Sequence, residues 1–205
     1  MAKRGSADYI LDEAQILFAE RGLAGTSIRE IAARCGIQNA SLYSHFKSKQ
    51  DIYEAVLERG LRPIIDLISA AGTVEKPAAW DDRVISQMVS HLEANPQLPK
   101  LIAYEVLRAD GDMPAVVHEW ASEYITSGIS LMSQNGRLSG DEWKKSDGPL
   151  LVSAWFNLIF GYFAMAPILE VFLGSDPLSK KNIKRHIQML QKLGHIFPPE
   201  HLNES

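Results

Sequence analysis

The chain reads as all-α, with an N-terminal three-helix helix-turn-helix domain followed by a larger helical domain. Three observations lead there. Apolar residues recur at spacings of three and four along nearly the whole chain, no run alternates in the manner of a strand, and two short helical patterns flank a glycine between Ile28 and Phe46. With 205 residues, 46% of them hydrophobic, the chain can bury a substantial core in one or two domains.

A first helix is predicted from about Ser6 to Arg21, with Ile10, Ala14, Leu17 and Phe18 on one face and Gly22 as its stop. Ser27 and Glu30 have capping-box spacing and start a second helix, whose inward face is Ile28, Ile31 and Ala32. Gly36 ends it, since glycine accepts the left-handed conformation without steric cost. A third short helix is expected from about Asn39 to Phe46. Gln38 is not a good cap, so Asn39 is expected to cap this helix and start it one residue later. Ser48 and Asp51 then cap a longer helix with the stripe Ile52, Tyr53, Val56 and Leu57, and Pro63 is expected to kink or break it. These boundaries give a helix-turn-helix domain at 1–50 and a second domain at 51–205, linked by a helix over 48–61.

Beyond that link, helices are predicted over about 78–94, from Pro96 behind the cap Asn95, and from near Pro114 to Asn135. A long helix starts at Gly148 with Asp147 as cap, and a last one, after the GSDP at 174–177, ends near Gly194. Pro149 to Leu169 is uncharged over twenty-one positions, enough to be weighed as a membrane span. Asn157 in its middle, Pro167 near its end and the polar helices before it favour a buried helix instead. A membrane-anchored protein with a helix-turn-helix head is the alternative, and would need detergent to stay in solution.

The run ILDEAQILFAERGLAGTSIREIAARCGIQNASLYSHFKSKQDIYEAVLERG resembles the DNA-binding domain of the TetR family of bacterial transcriptional regulators over about residues 6 to 60. FAERG, TSIREIA, LYSHF and KSKQDIY carry the likeness jointly. It implies that Ser27, Tyr43, His45 and Lys49 contact phosphate, while Arg29, Gln38, Asn39 and Ser41 lie near base edges. The chemistry agrees. A phenol, an imidazole and an ammonium donate to phosphate and fix register, whereas Arg pairs with guanine and Asn or Gln with adenine. Gln38 departs from the small hydroxyl residue often found there. Phe46 is read as core.

Charge is compatible with a local DNA surface only. The chain carries a formal −4; residues 1–50 hold seven Lys or Arg against five acids, and residues 61–205 thirteen against seventeen. Lys3 and Arg4 suit a DNA-reaching arm and an ordinary solvated terminus equally. The lone Cys35 forms no intramolecular disulfide and is read as a buried filler, and the opening residues do not read as a leader, so a cytoplasmic location is expected.

The second half is rich in aromatic and Met side chains. Met88, His91, Tyr104, Arg108, Trp120, Tyr124, Trp155 and Phe156 are the candidates to line a pocket for a small lipophilic or aromatic effector, with Arg108 able to pair with a carboxylate. Taken singly, each aromatic fits core packing as well. Trp155, Ile159, Phe163, Ile183, Ile187 and Leu190 are expected at a homodimer interface, a four-helix bundle of the kind the resemblance implies. Lys180, Lys181, Lys184 and Arg185 form the solvated face of the last helix. No nucleophile elbow, Walker loop, dinucleotide fingerprint or zinc spacing occurs, and no cofactor, metal or enzymatic activity is expected. The expected role is a homodimeric regulator, a repressor released from a palindromic operator by its effector. The alternative is a DNA-bound adaptor whose second domain docks a protein.

Overall fold

The computed structural model describes residues 5–71, 82–107, 114–134, 138 and 143–196. Every regular element among them is helical: α1 (Ala7–Arg21), α2 (Ile28–Cys35), α3 (Asn39–Tyr43), α4 (Lys49–Ala71), α5 (Asp82–Ala94), α6 (Leu98–Leu107), α7 (Ala115–Gln134), α8 (Gly148–Ala164), α9 (Ala166–Leu173) and α10 (Lys180–Ile196), with one 3-10 turn at Lys145–Asp147. The all-α expectation therefore holds. Two compact units are present, residues 1–61 with 97–118, and residues 62–96 with 119–205. The expected division after residue 50 treats the first domain as one continuous segment, whereas α6 packs with the N-terminal unit.

Local signals account for the first unit. Ser6 caps α1 by accepting from the Tyr9 N–H, and Gly22 closes it at φ 68° and ψ 176°. Ile10, Ala14 and Phe18 are buried on its inner face, and the Phe18 ring meets Tyr53 of α4 edge-on at 4.9 Å. On the far side of Tyr53, its hydroxyl donates to the buried Glu105 carboxylate of α6. Pro63 does not break α4, which runs unbroken to Ala71. The proline lies on the exposed side, where the Arg59 carbonyl that loses its helical N–H partner can turn to water.

In the second unit α7 and α8 run antiparallel and meet through matched stripes. Trp120, Tyr124 and Gly128 recur every fourth residue on α7, and Phe160, Phe156 and Val152 run the opposite way on α8. The Trp120 ring lies 5.7 Å from Phe156 and 6.1 Å from Phe160, and Tyr124 lies 5.6 Å from Phe156. Gly128 lets the backbones close in, because a Cβ there would lie 2.8 Å from the Val152 methyls. Asp147 does not cap α8; its carboxylate instead accepts from the Lys144 N–H at 2.9 Å and closes the 3-10 turn.

The long uncharged stretch divides at Met165. Pro167 stands in the first turn of α9, and the pair is bent by 72°. Among the described residues no single helix is long and apolar enough to cross a membrane, and only that bent pair reaches the length together. α10 returns along α5, with Ile183 and Leu190 buried. His186, 4% exposed, stacks on Tyr162 at 3.9 Å and 9°.

Two outcomes follow from these contacts. Gly22 occupies a conformation open essentially to glycine alone, and a Cβ there would lie 2.7 Å from the Tyr104 ring. Gly22→Ala is expected to cost about 1–3 kcal/mol in urea unfolding; a neutral effect would mean the turn relaxes freely. Burial holds the His186 imidazole down to about 4, from 6.5. The unfolded chain therefore takes up a proton the folded chain refuses. This part of the stability is full above pH 6.5 and declines towards pH 4, at up to about 1.4 kcal/mol per pH unit. Urea unfolding across that window should show a steeper decline for the wild type than for His186→Phe, and parallel curves would contradict the assignment.

Candidate nucleic-acid interface

The recognition element begins with the capping box at α2. The Ser27 Oγ accepts from the Glu30 N–H at 3.2 Å, and the Glu30 carboxylate accepts from both the Ser27 N–H and its hydroxyl at 2.8 Å. Those bonds, first from the hydroxyl and then from the backbone, with the Arg21 guanidinium 2.8 Å away, hold the Glu30 carboxyl below its usual range. The Ser27 hydroxyl is thus engaged within the fold as well as being exposed for an outside contact.

α2 ends at Gly36, which adopts φ 65° and ψ 35°, and its N–H reaches the carbonyls of Ala32 and Ala33. Gly36, Ile37 and Gln38 form the turn. Gln38 takes the N-cap position of α3 without a side-chain bond, and the helix starts at Asn39. Asn39 therefore does not cap, correcting that expectation: it already has a helical place in the first turn. Leu42, fully buried, anchors this five-residue helix, leaving Gln38, Ser41, Tyr43 and His45 exposed and Asn39 half-buried. Tyr43 is 53% exposed, so it is no core aromatic, whereas Phe46 is half-buried.

Lys49 has a second task that the sequence did not reveal. Its ammonium donates to the carbonyls of Leu23 and Thr26, at 2.6 and 2.7 Å. The Thr26 hydroxyl in turn donates to the carbonyls of Gly22 and Leu17, at 2.9 and 3.3 Å. The loop before α2 is thereby tied to the first turn of α4. Three arginines of this unit are paired: Arg21 with Glu30, Arg34 with Glu13, and Arg59 with Asp12. Arg29 and Lys47 are exposed, and their side chains make no hydrogen bond or ion pair among the described residues; the Lys47 backbone N–H donates to the Asp51 carboxylate at 3.1 Å. Lys47 was missed from the sequence; its place between Phe46 and the cap Ser48, ahead of α4, was the available signal. Lys3 and Arg4 lie outside the described residues.

The expected pocket residues separate. Met88 and His91 line an open groove of about 410 Å³ with Pro63, Ile64, Leu67, Gln87 and Ser90. Trp120, Tyr124 and Phe156 share the aromatic face between α7 and α8, and Trp155 is buried elsewhere on α8. Tyr104 belongs to the N-terminal unit, 44% exposed beside Gly22. Arg108 lies outside the described residues.

The expected dimer residues are also reassigned. Trp155, Ile159, Phe163, Ile183 and Leu190 are buried within the single chain and Ile187 is half-buried, so five of the six have almost no surface to offer a second copy. What faces outward is a different stripe: Leu150 and Leu158 on α8, then Met165, Ile168, Val171 and Phe172, with Val171 78% and Phe172 82% exposed. Gly161 adds open space beside it.

Residues 10–56 match the family model described as bacterial regulatory proteins, tetR family. Over 55 residues the chain is 47% identical to the HTH-type transcriptional repressor KstR2 of Rhodococcus jostii, a stretch that makes up 27% of each protein. The chain thus spans about a quarter of the length of the curated relatives it matches. Among solved structures, the ketosteroid transcriptional regulator KstR2 of Mycobacterium tuberculosis superposes with a TM-score of 0.70 at 18% identity, covering 92% of both chains. A Clostridium perfringens regulator provisionally assigned to fatty acid metabolism gives 0.72 at 17% identity, over 89% of this chain and 94% of that one. At such identities the likeness establishes the fold.

The Lys49 contacts generate a test within this domain. Lys49→Met keeps the stem but removes two charge-assisted bonds, and should cost about 1.5–3 kcal/mol in urea unfolding. Lys47→Met, at an exposed and unpaired site, should stay within about 0.5 kcal/mol. Equal effects would mean the Lys49 ammonium does not hold the loop.

Proposed function

We propose that this chain, whose residues 10–56 match the tetR family model, is a cytoplasmic, sequence-specific DNA-binding regulator of transcription of the TetR family, a repressor that acts as a homodimer on a palindromic operator. The observation that carries the reading is the exposed polar face of α3, fixed from below by Leu42 and flanked by the unpaired cations Arg29 and Lys47. Tyr43, His45 and Lys47 serve phosphates, with Ser27 and the remaining N–H of Lys49 as further donors. Arg29, Gln38, Asn39 and Ser41 serve base edges. Repressor function is in the names of relatives such as KstR2 of Rhodococcus jostii.

The outward stripe from Leu150 to Phe172 supports the dimer. An apolar surface of this kind marks an interaction site, and a second copy of the same stripe is self-complementary across a two-fold axis. Two recognition helices then read half-sites about one DNA turn apart, or a multiple of it. The same stripe also fits the adaptor reading, in which another protein covers it. A monomer at micromolar concentration would favour that second reading.

Release is assigned to an effector bound in the second unit, at the α4–α5 groove or the aromatic face. It acts only through its difference in affinity for the DNA-competent and DNA-incompetent states. Coupling of about 1–3 kcal/mol gives a roughly 5- to 150-fold loss of DNA affinity.

Substitutions separate the roles. On any duplex, Lys47→Ala should lower the slope of log affinity against log salt by about one, and Tyr43→Phe should weaken binding evenly across sequences. Gln38→Ala should instead relax preference at one base pair of a selected site. An unchanged slope for Lys47→Ala would remove Lys47 from the interface, and loss of binding to none of these variants would refute the α3 face as the DNA contact.

A further inference from the structure

The aromatic face between α7 and α8 holds two hydrogen-bonding groups that its packing does not use. Trp120 and Tyr124 stand one helical turn apart, 6% and 2% exposed, with ring centroids 5.3 Å apart. Neither the Trp120 Nε1–H nor the Tyr124 hydroxyl has a hydrogen-bond partner among the described residues. Buried polar groups are nearly always satisfied, so two orphans on one helix face call for an explanation. Ordinary core packing would be served better by Phe at both positions.

The chemistry of the two groups restricts what would satisfy them. An indole N–H can only donate. Burial raises the Tyr124 phenol, keeping its proton on, and burial is the only cause of that shift, with no charged group contributing. The site therefore asks for an acceptor, and among the described residues no cation is placed against the phenol as a counter-charge for an anion. Its walls are ring faces: Phe156 and Phe160 stack at 4.2 Å, and both lie within about 6 Å of Trp120. Phe156 is half-buried where Trp120, Tyr124 and Phe160 are buried, so it is the ring at the outer edge of the cluster.

We propose that this face binds an uncharged, ring-bearing lipophile carrying a hydrogen-bond acceptor such as a ketone, whose oxygen receives the Trp120 Nε1–H and the Tyr124 Oη–H while Phe156 turns aside to admit the rings. The inference rests on the reading of the second unit as an effector-binding domain and names the class of effector. A hydrocarbon of the same shape leaves both donors unpaired. A carboxylate must be desolvated with no cation among the described residues set against the Tyr124 phenol to meet it.

The test uses three probes on one skeleton: benzophenone, diphenylmethane and 4-benzoylbenzoate. Equilibrium dialysis against the full chain, without DNA, should give benzophenone roughly tenfold tighter binding than diphenylmethane, with 4-benzoylbenzoate weaker than benzophenone. Trp120→Phe and Tyr124→Phe should each erode the preference for the ketone while leaving diphenylmethane affinity within about twofold, and Tyr124→Phe, which keeps the ring, should unfold no more readily than the wild type because it removes an unsatisfied donor. Equal affinity for ketone and hydrocarbon, no binding of either by the folded protein, tighter binding of the carboxylate, or a ketone preference that survives both substitutions would overturn the proposal. DNA binding is measured separately. If it is intact and the ketone preference is absent, this inference fails and the regulator reading stands. A ketone preference without any effect on DNA binding upholds the site and removes its role in release.

Discussion

One side chain, Tyr53, joins the three helices on which the N-terminal unit depends. Its ring meets Phe18 of α1 edge-on, its hydroxyl donates to the Glu105 carboxylate of α6, and its backbone belongs to α4, all at full burial. A phenol in that position meets both requirements of a small helical core, since the ring excludes water and the hydroxyl answers a buried acid. α4 is fixed on that side, and at its first turn Lys49 draws in the loop that leads to α2. The recognition helix is too short, at five residues, to hold itself in place. Its position is inherited from α2, α4 and the buried Leu42.

Electrostatics in this unit follow an economy that net charge conceals. Three arginines are spent on internal pairs and one lysine on backbone carbonyls. Near α3, Arg29 and Lys47 keep side-chain positive charge free to meet phosphate. A chain with a formal charge of −4 can in this way present a cationic patch without a general affinity for polyanions.

Where information is local, the sequence was legible. The capping box at Ser27, the Ser48 cap of α4, the glycine stops at Gly22 and Gly36, and the stripe of α4 depend on residues within one or two turns, and the structure contains each. Misreadings arose where the answer depends on a distant partner. Periodicity marked Ile159, Phe163, Ile183 and Leu190 as apolar faces, but it carries no record of whether a face meets another part of the same chain or a second copy; these are interior. Tyr104 joined the pocket candidates by type alone, and its place beside Gly22 depends on a contact across more than eighty residues. Pro63 was expected to interrupt α4 because propensity says nothing of the side a residue faces, and on the solvent side the lost bond is tolerated. Lys47 and Lys49 are near-neighbours of the same type with opposite tasks, a difference that only the carbonyls of Leu23 and Thr26 decide.

The central claim is that the exposed face of α3 reads a DNA sequence. Its most direct test is repeated selection from a random duplex pool by the purified full chain, with the size of the bound species measured on the enriched sequence. The account predicts recovery of a palindrome bound by two copies. Failure to enrich any sequence by a folded protein, or enrichment of an asymmetric site bound by one copy, would contradict it.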